Sequence, residues 1–315
     1  MLARGWPARR AEPFVATHSD DDDGGLYTIA VVPELPEVET VRRGLEQRFV
    51  GRRIERVEVG RERTVRRTSR QALIDGLTGA TPLRAERRGK YLIMPLDTGD
   101  SMMIHLRMTG RVLIEPASRE RLDHTHVVLD LADRGPDGTP EQLRFVDPRT
   151  FGEVVVFDPD NAAVEMPELT RLGVDPIADG LERGQLAKIL KSRARQMKAL
   201  LLDQAVIAGI GNIYADEILH AARVRHDRLS NSLKPAEVTR LHAAIGEILN
   251  AAIEAGGSTL RDTQYVDIGG EGGWFQVSHR VYDRGGQTCL TCGRATIRQV
   301  VSGGRTTSFC PRCQK

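Results

Sequence analysis

Cys289, Cys292, Cys310 and Cys313 are all the cysteines of this 315-residue chain, and they form two Cys-x-x-Cys pairs with seventeen residues between them. Four thiolates so spaced close a tetrahedron around one zinc ion. Between the pairs, "ATIRQVVSGGRTTSF" reads as two short β-branched strands joined by Ser302, Gly303 and Gly304, a hairpin that brings the two knuckles together. Two disulfides are the competing arrangement, and they are disfavoured because the rest of the chain reads as cytosolic and reducing. A unit of about thirty residues buries too little apolar surface to fold alone, so one structural Zn2+ is expected to supply most of its stability.

The same segment is basic. Residues 284–315 carry six cationic side chains (Arg284, Arg294, Arg298, Arg305, Arg312, Lys315) and no acidic one, whereas residues 1–32 carry three (Arg4, Arg9, Arg10) against five acidic (Glu12, Asp20, Asp21, Asp22, Asp23). The net charge of +2 therefore hides a positive C-terminal module. A polyanion is its natural partner; a solvated basic tail is the alternative that charge alone leaves open. No apolar run approaches the ~18 residues of a membrane span, and the start of the chain lacks the basic, apolar and small-residue parts of a secretory signal. The expected location is the cytoplasm.

The length allows two or three domains. Residues 1–32 show no sustained apolar period, and "SDDDDGG" predicts disorder. From Pro36 a helix is predicted, with Val38, Val41, Leu45 and Phe49 on one face and Pro36 in the first turn. Seven β-rich runs follow, "RIERVEV", "KYLIMPL", "SMMIHLRM", "RVLIE", "HVVLDL", "QLRFVD" and "EVVVFD", which predict a sandwich or barrel ending near residue 160. The pattern then turns helical in "LERGQLAKILKSR", "MKALLLDQAV", "NIYADEILHAARV" and "AEVTRLHAAIGEILNAAIEAGG", the last ended by Gly256 and Gly257. A loop, "RDTQYVDIGGEGGW", leads to the cysteines. In "AGIGNIYADEIL", Gly209 and Gly211 permit a tight turn and Asn212 is placed to cap the next helix. The amides at that helix start either bind phosphate or complete an ordinary turn and cap. Tyr214 stands where a dinucleotide fingerprint needs its third glycine.

Six stretches in order, "PELPEVETVRRGL", "RRGKYL", "HLRMTG", "DPRTFG", "GIGNIYADE" and "FCPRCQ", together with the cysteine spacing, resemble bacterial formamidopyrimidine-DNA glycosylase of the Fpg/Nei family. The resemblance covers the chain from Pro33 to its end, and Leu35 favours the oxidised-purine branch over the endonuclease VIII type, which begins Pro-Glu-Gly-Pro-Glu. It implies a multidomain α+β fold. Residues 33–163 would form an N-terminal helix and catalytic β-sandwich, 164–262 a helix-two-turn-helix DNA-binding domain, 263–283 a lesion-capping loop and connector, and 284–315 a zinc-ribbon β-hairpin. It also implies a base-excision-repair enzyme that removes 8-oxoguanine and formamidopyrimidines and then cuts the strand as a DNA-(apurinic or apyrimidinic site) lyase. Its partner would be double-stranded DNA bearing oxidised bases, met by a monomer at the bacterial nucleoid.

Roles carry over residue by residue. A base inside a duplex must be extruded before it is repaired, and the hole must be filled. By similarity Met108, Arg149 and Phe151 fill it; core packing is the ordinary reading of Met108 and Phe151 taken alone. The resemblance makes Pro33 the nucleophile through a Schiff base. An α-amine with a reference pKa of about 8 is roughly a tenth neutral at pH 7, against less than about a thousandth for lysine. Glu34 would be general acid or base and Glu37 would orient the site, although carboxylates at a helix start are also favoured by the dipole alone. Lys90 and Arg305 would hold the phosphates flanking the lesion and assist the two eliminations. His124, Arg193 and Asn212 match DNA-contacting positions, Arg193 standing where lysine is common. Lys198 is open between helping to read the lesion or the backbone and doing neither. Residues 266–273 would close over the extruded base, with Trp274 stacking or anchoring.

One departure stands out. Val32 precedes Pro33, with thirty-one residues before it, so the Pro33 nitrogen as written is an amide. The expectation is that translation starts at Val32 from a GTG codon read as methionine, so that residues 1–32 are a mis-annotated start; a protease exposing Pro33 is the alternative. A DNA-binding paralogue silenced by its leader and an oxidised-pyrimidine glycosylase are the competing functions.

Overall fold

The computed structural model describes residues 32–260 and 265–315. The disorder expected for the leader concerns residues that, Val32 apart, lie outside those described. Helix α1 (Leu35–Arg48) begins with a capping box in which the Glu37 side chain accepts from the Glu34 amide at 2.9 Å. Its predicted apolar face, Val38, Val41 and Leu45 with Phe49 just beyond, is buried.

Strand β1 (Ile54–Val59) follows, then α2 (Arg70–Leu77), β2 (Glu86–Arg88), β3 (Tyr91–Pro95), β4 (Ser101–His105), β5 (Arg111–Pro116), β6 (Thr125–Arg134), β7 (Pro140–Val146) and β8 (Glu153–Phe157). They form two four-stranded antiparallel sheets, ordered β1-β6-β7-β5 and β2-β3-β4-β8. Val57, Leu129 and Leu143 of one sheet share a core with Leu92, Ile104 and Val154 of the other and with Val41 and Leu45 of α1, which makes the domain a sandwich. All seven predicted strands form. Four elements escape the sequence reading, the short helices Ala162–Glu165 and Pro167–Thr170 and two in the sandwich: β2 is "ERR", held by backbone pairing to β3, and α2 buries only Leu73 and Leu77. β2 shows no apolar period, and that of α2, Leu73, Ile74 and Leu77, spans little more than one turn.

The remaining helices are α3 (Ala162–Glu165), α4 (Pro167–Thr170), α5 (Arg183–Lys191), α6 (Met197–Leu201), α7 (Asn212–Ala221) and α8 (Pro235–Glu254). Their core gathers Leu186 and Leu190 of α5, Leu200 of α6, and Leu241, Ile245 and Leu249 of α8 around Ile213, Tyr214 and Ile218 of α7. Every residue from Ile213 to His220 is buried, so α7 is the hub on which the other parts converge. No helix among the described residues is long and apolar enough to cross a membrane.

Arg87 of β2 joins the sandwich to the helices. Its guanidinium pairs with Asp175 at 2.5 Å and Glu39 at 3.0 Å, and the same Asp175 carboxylate accepts from the Gly89 amide at 2.8 Å. Gly89 takes φ +58°, and a Cβ there would lie 3.2 Å from the Ala208 methyl, so the turn that presents Lys90 is fixed from both sides. The C-terminal hairpin pairs β9 (Arg298–Ser302) with β10 (Arg305–Phe309). Its turn is Gly303-Gly304 alone, with φ +57° and +74° as a type I′ turn requires; Ser302, expected in the turn, instead pairs with Arg305. Arg305 is therefore exposed at the hairpin tip.

Candidate active site and nucleic-acid interface

Residues 32–34 run onto the start of α7. The Leu35 amide donates to Gly209 O at 3.0 Å, and the Glu34 carboxylate accepts from the amides of Gly211 at 2.9 Å, Ile213 at 2.9 Å and Tyr214 at 3.3 Å. The amides considered as a phosphate site are thus occupied by a side chain of the same protein. Asn212 does not cap the helix either. Gly211 is the N-cap, and Asn212 Nδ2 donates to Thr306 O on β10 at 3.1 Å.

Glu34 is 3 % exposed and Glu37 wholly buried. Burial pushes the Glu34 pKa up, while the Lys90 charge and the three amides pull it down. Glu37 is pushed up to about 7 by burial and by the neighbouring Glu34 charge, against its hydrogen bonds from Tyr214 Oη at 2.5 Å, the Ser258 amide at 2.7 Å and the Glu34 amide. Burial lowers the Lys90 pKa; Glu34 opposes that and Arg305 adds to it. The two carboxylates, Lys90 and Arg305 thus lie within one another's fields. Tyr214 and Ser258, which orient Glu37, were missed by sequence reading. Tyr214 was noticed only as a mismatch to a glycine.

Val32, Lys90, Met108 and Phe151 line one cavity of about 860 Å³. Met108 and Phe151 are half-buried, and Arg149 bridges them, its Nη1 3.9 Å from Met108 Sδ and its guanidinium carbon 5.5 Å from the Phe151 ring centre. Buried Asp147 builds this cluster, accepting from the Thr109 hydroxyl, the Arg149 amide at 3.2 Å and the Gly152 amide at 2.7 Å. Three non-glycine residues with positive φ, Arg107 (+54°), His124 (+66°) and Thr150 (+55°), lie in these loops, so the hydrogen bonds hold strained backbone in place. His124 is exposed, and its carbonyl accepts from the Asp147 amide at 3.0 Å.

Arg63, Arg66, Arg107 and Arg171 also face the cavity. Glu153 accepts from Arg66 at 2.6 Å, Arg67 at 2.5 Å and Arg107 at 2.8 Å, and those bonds outweigh burial to hold its pKa down at about 2. None of these arginines was singled out, although the run "RERTVRR" was a visible signal. Arg193 is half-buried between α5 and α6, its Nη1 donating to Ser192 Oγ at 3.1 Å.

Lys198 is 1 % exposed and paired with Asp216 at 2.7 Å. Next to Asp216, Glu217 accepts from the amides of Arg280, Val281 and Tyr282 at 2.9, 2.9 and 2.8 Å, which ties the connector to α7. The segment expected to close over a base is pinned at its start: Ile268 is buried in the sandwich core and its carbonyl accepts from the Ile114 amide at 2.9 Å. Trp274 is 71 % exposed.

The four cysteine sulfurs lie within 4.8 Å of one another, Cys289 to Cys313 and Cys292 to Cys310 both at 3.9 Å. Zn–S bonds of ~2.3 Å in a tetrahedron place sulfurs ~3.8 Å apart, so this donor set fits one structural zinc.

A sandwich and a helical domain meeting at a buried carboxylate, with a cation-rimmed cavity and a four-cysteine hairpin beside it, is the architecture of a DNA-processing protein. Three family models match in order: the formamidopyrimidine-DNA glycosylase N-terminal domain over residues 32–154, the H2TH domain of the same glycosylase over 172–264, and the zinc finger found in FPG and IleRS over 286–315. The chain is 41% identical over 283 residues to the formamidopyrimidine-DNA glycosylase of Desulfitobacterium hafniense, covering 90% of this chain and 100% of that one. It is 42% identical over 287 residues to that of Heliobacterium modesticaldum, with the same coverage. The Lactococcus lactis enzyme in complex with abasic-site DNA superposes with a TM-score of 0.79 at 34% identity, over 90% of this chain and 99% of that one. Its complex with Fapy-dG DNA gives 0.79 at 35%. The chain belongs to the formamidopyrimidine-DNA glycosylase family.

Proposed function

We propose that this DNA glycosylase of base excision repair excises oxidised purines, 8-oxoguanine and formamidopyrimidines, from duplex DNA through an imine on Pro33, then cuts the strand by β- and δ-elimination. The observation that carries this reading is the seating of residues 32–34 on the start of α7, with Glu34 in the field of Lys90 and the cavity of Met108 and Phe151 adjoining.

The Pro33 nitrogen bonds to C1′ as the bond from C1′ to the base breaks; the base leaves with that electron pair and takes a proton. The bonded nitrogen gives up its proton, and its electron pair forms a double bond to C1′ as the bond from C1′ to the ring oxygen breaks and Glu34 protonates that oxygen, leaving an open-chain iminium. Loss of a C2′ proton expels the 3′ phosphate, and a second proton loss along the conjugated chain expels the 5′ phosphate. Lys90 and Arg305 hold these two phosphates, Glu37 fixes the Glu34 amide, and Met108, Arg149 and Phe151 fill the vacated stack. His124, Arg193 and Asn212, with the arginine rim, grip the backbone. Zinc, when bound, cross-links the two knuckles and so fixes the hairpin that carries Arg305. On this reading residues 33–163 carry the chemistry, 164–262 and 284–315 hold the duplex, 263–283 cover the lesion, and the enzyme works at the nucleoid.

The mechanism needs a terminal nitrogen on Pro33, reached by initiation at Val32 followed by removal of the initiating methionine, or by cleavage before Pro33. The family match beginning at residue 32 supports that requirement. Borohydride trapping tests it. Protein begun at Pro33 is expected to become covalently linked to 8-oxoguanine duplex and the full chain is not; absence of linkage in both sinks the reading, and preference for thymine glycol would redirect it to oxidised pyrimidines.

A further inference from the structure

Lys198 and Asp216 are wholly buried, with Nζ 2.7 Å from Oδ1. An ion pair removed from water gains little net stability, because desolvation offsets the attraction, and apolar replacement of both partners generally leaves a fold intact. What the pair holds besides itself is more informative. Lys198 Nζ donates to Thr306 O at 3.0 Å, and Asp216 Oδ2 accepts from the Ser308 amide at 2.8 Å. Asn212 Nδ2 adds a second donor to Thr306 O at 3.1 Å. Thr306 and Ser308 are two apart, so their backbone groups face the same edge of β10, opposite the edge that pairs with β9. α6 and α7 thus close the free edge of the hairpin, immediately after Arg305. Burial lowers the Lys198 pKa while Asp216 and Glu34 raise it and Arg305 lowers it further, which sets Lys198 in the same charged cluster as the carboxylate and the tip arginine.

We propose that Lys198 and Asp216 are positioning residues for strand cleavage: they lock β10 in register against the start of α7, so that Arg305 is held where the second phosphate departs. This rests on the reading of Arg305 as the ligand of that phosphate. Neither residue touches DNA. Their effect passes through the backbone of Thr306 and Ser308 to the residue before them.

The test compares zinc-loaded protein begun at Pro33 with its Lys198→Met/Asp216→Leu double variant, in which both charges go together. The substrate is a duplex with one abasic site, and a denaturing gel separates the product of the first cut from that of both. The first cut is expected within about threefold of the parent and the second at least about tenfold slower, as a displaced phosphate ligand requires. Lys198→Met/Asp216→Asn keeps an oxygen for the Ser308 amide and is expected to fall between. A merely structural role would lower both cuts in proportion, and that result, or an unchanged product ratio, overturns the proposal. Hydrogen exchange at the Ser308 amide gives a readout without catalysis, expected at least about tenfold faster in the first variant with zinc still bound. If the parent neither traps nor cuts, the enzymatic reading is what fails; unchanged Ser308 exchange overturns the positioning claim in either case.

Discussion

The Tyr214 hydroxyl donates to Glu37 Oε1 at 2.5 Å, joining the first residues of α7 to a carboxylate 177 positions earlier in the chain. Because the bond is made to the ionised form, it opposes the burial that pushes Glu37 up to about 7. Tyr214→Phe is therefore expected to raise the Glu37 pKa by about one unit more, the worth of a charge-assisted hydrogen bond. A carboxyl-carbon NMR titration reads it directly, and an unchanged or lower midpoint contradicts the assignment.

The same shift makes stability depend on pH. A carboxyl whose folded pKa is raised binds its proton more tightly when folded, so its contribution is fully present below the unfolded value near 4.5 and is lost as pH climbs through about 7. Glu37→Gln stays neutral throughout. The unfolding free energy of the variant relative to the parent should therefore rise between about pH 4.5 and 7 and level off above, measured by urea unfolding across that range.

Gly211 has ordinary extended backbone, yet a Cβ added there would sit 2.3 Å from the Glu34 carboxyl carbon. Gly211→Ala must push the Glu34 carboxylate off the start of α7. Borohydride trapping should slow by about a hundredfold, as misplacement of a reacting group by ~1 Å implies, while circular dichroism stays that of the parent. Full trapping would show that Glu34 need not sit there.

Arg87 is 2 % exposed and Asp175 not at all, and the carboxylate also accepts from the amides of Gly89, Ile177 and Ala178. Arg87→Met leaves Asp175 buried without its cation, while Glu39 keeps Arg42 at 3.0 Å and Arg43 at 3.4 Å, and should cost about 3–5 kcal/mol of unfolding free energy. A loss below about 1 kcal/mol in urea would mean water reaches the pair.

The hairpin module has a small core of Val281, Cys289, Ile297 and Cys310. Cys310→Ser should release the zinc, measured as loss of one equivalent in a metal-binding dye titration, and unfold residues 284–315. Duplex affinity should fall at least about tenfold, and log affinity should depend less steeply on log salt as phosphate contacts are lost. Retention of both metal and affinity would count against a four-cysteine site.

The sequence by itself determined what depends on local spacing. Two Cys-x-x-Cys pairs around a Gly-Gly turn define a metal-binding hairpin, because ligand geometry is set within a few residues. Alternation and helical period marked seven strands and the principal helices, because side-chain direction follows from backbone repeat alone. The order of six short motifs carried the family, while β2 stayed hidden for want of an apolar pattern and α2 because Leu73, Ile74 and Leu77 span little more than one turn. Where polar groups find partners depends on packing between distant segments. The amides of Gly211, Ile213 and Tyr214 go to Glu34, 177 to 180 residues away, and Lys198, exposed for all the sequence tells, is buried against Asp216 and β10. Desolvation and hydrogen-bond satisfaction are set by which elements pack together, and in this chain one helix, α7, receives residues 33–34 at its start and the four-cysteine hairpin along its side.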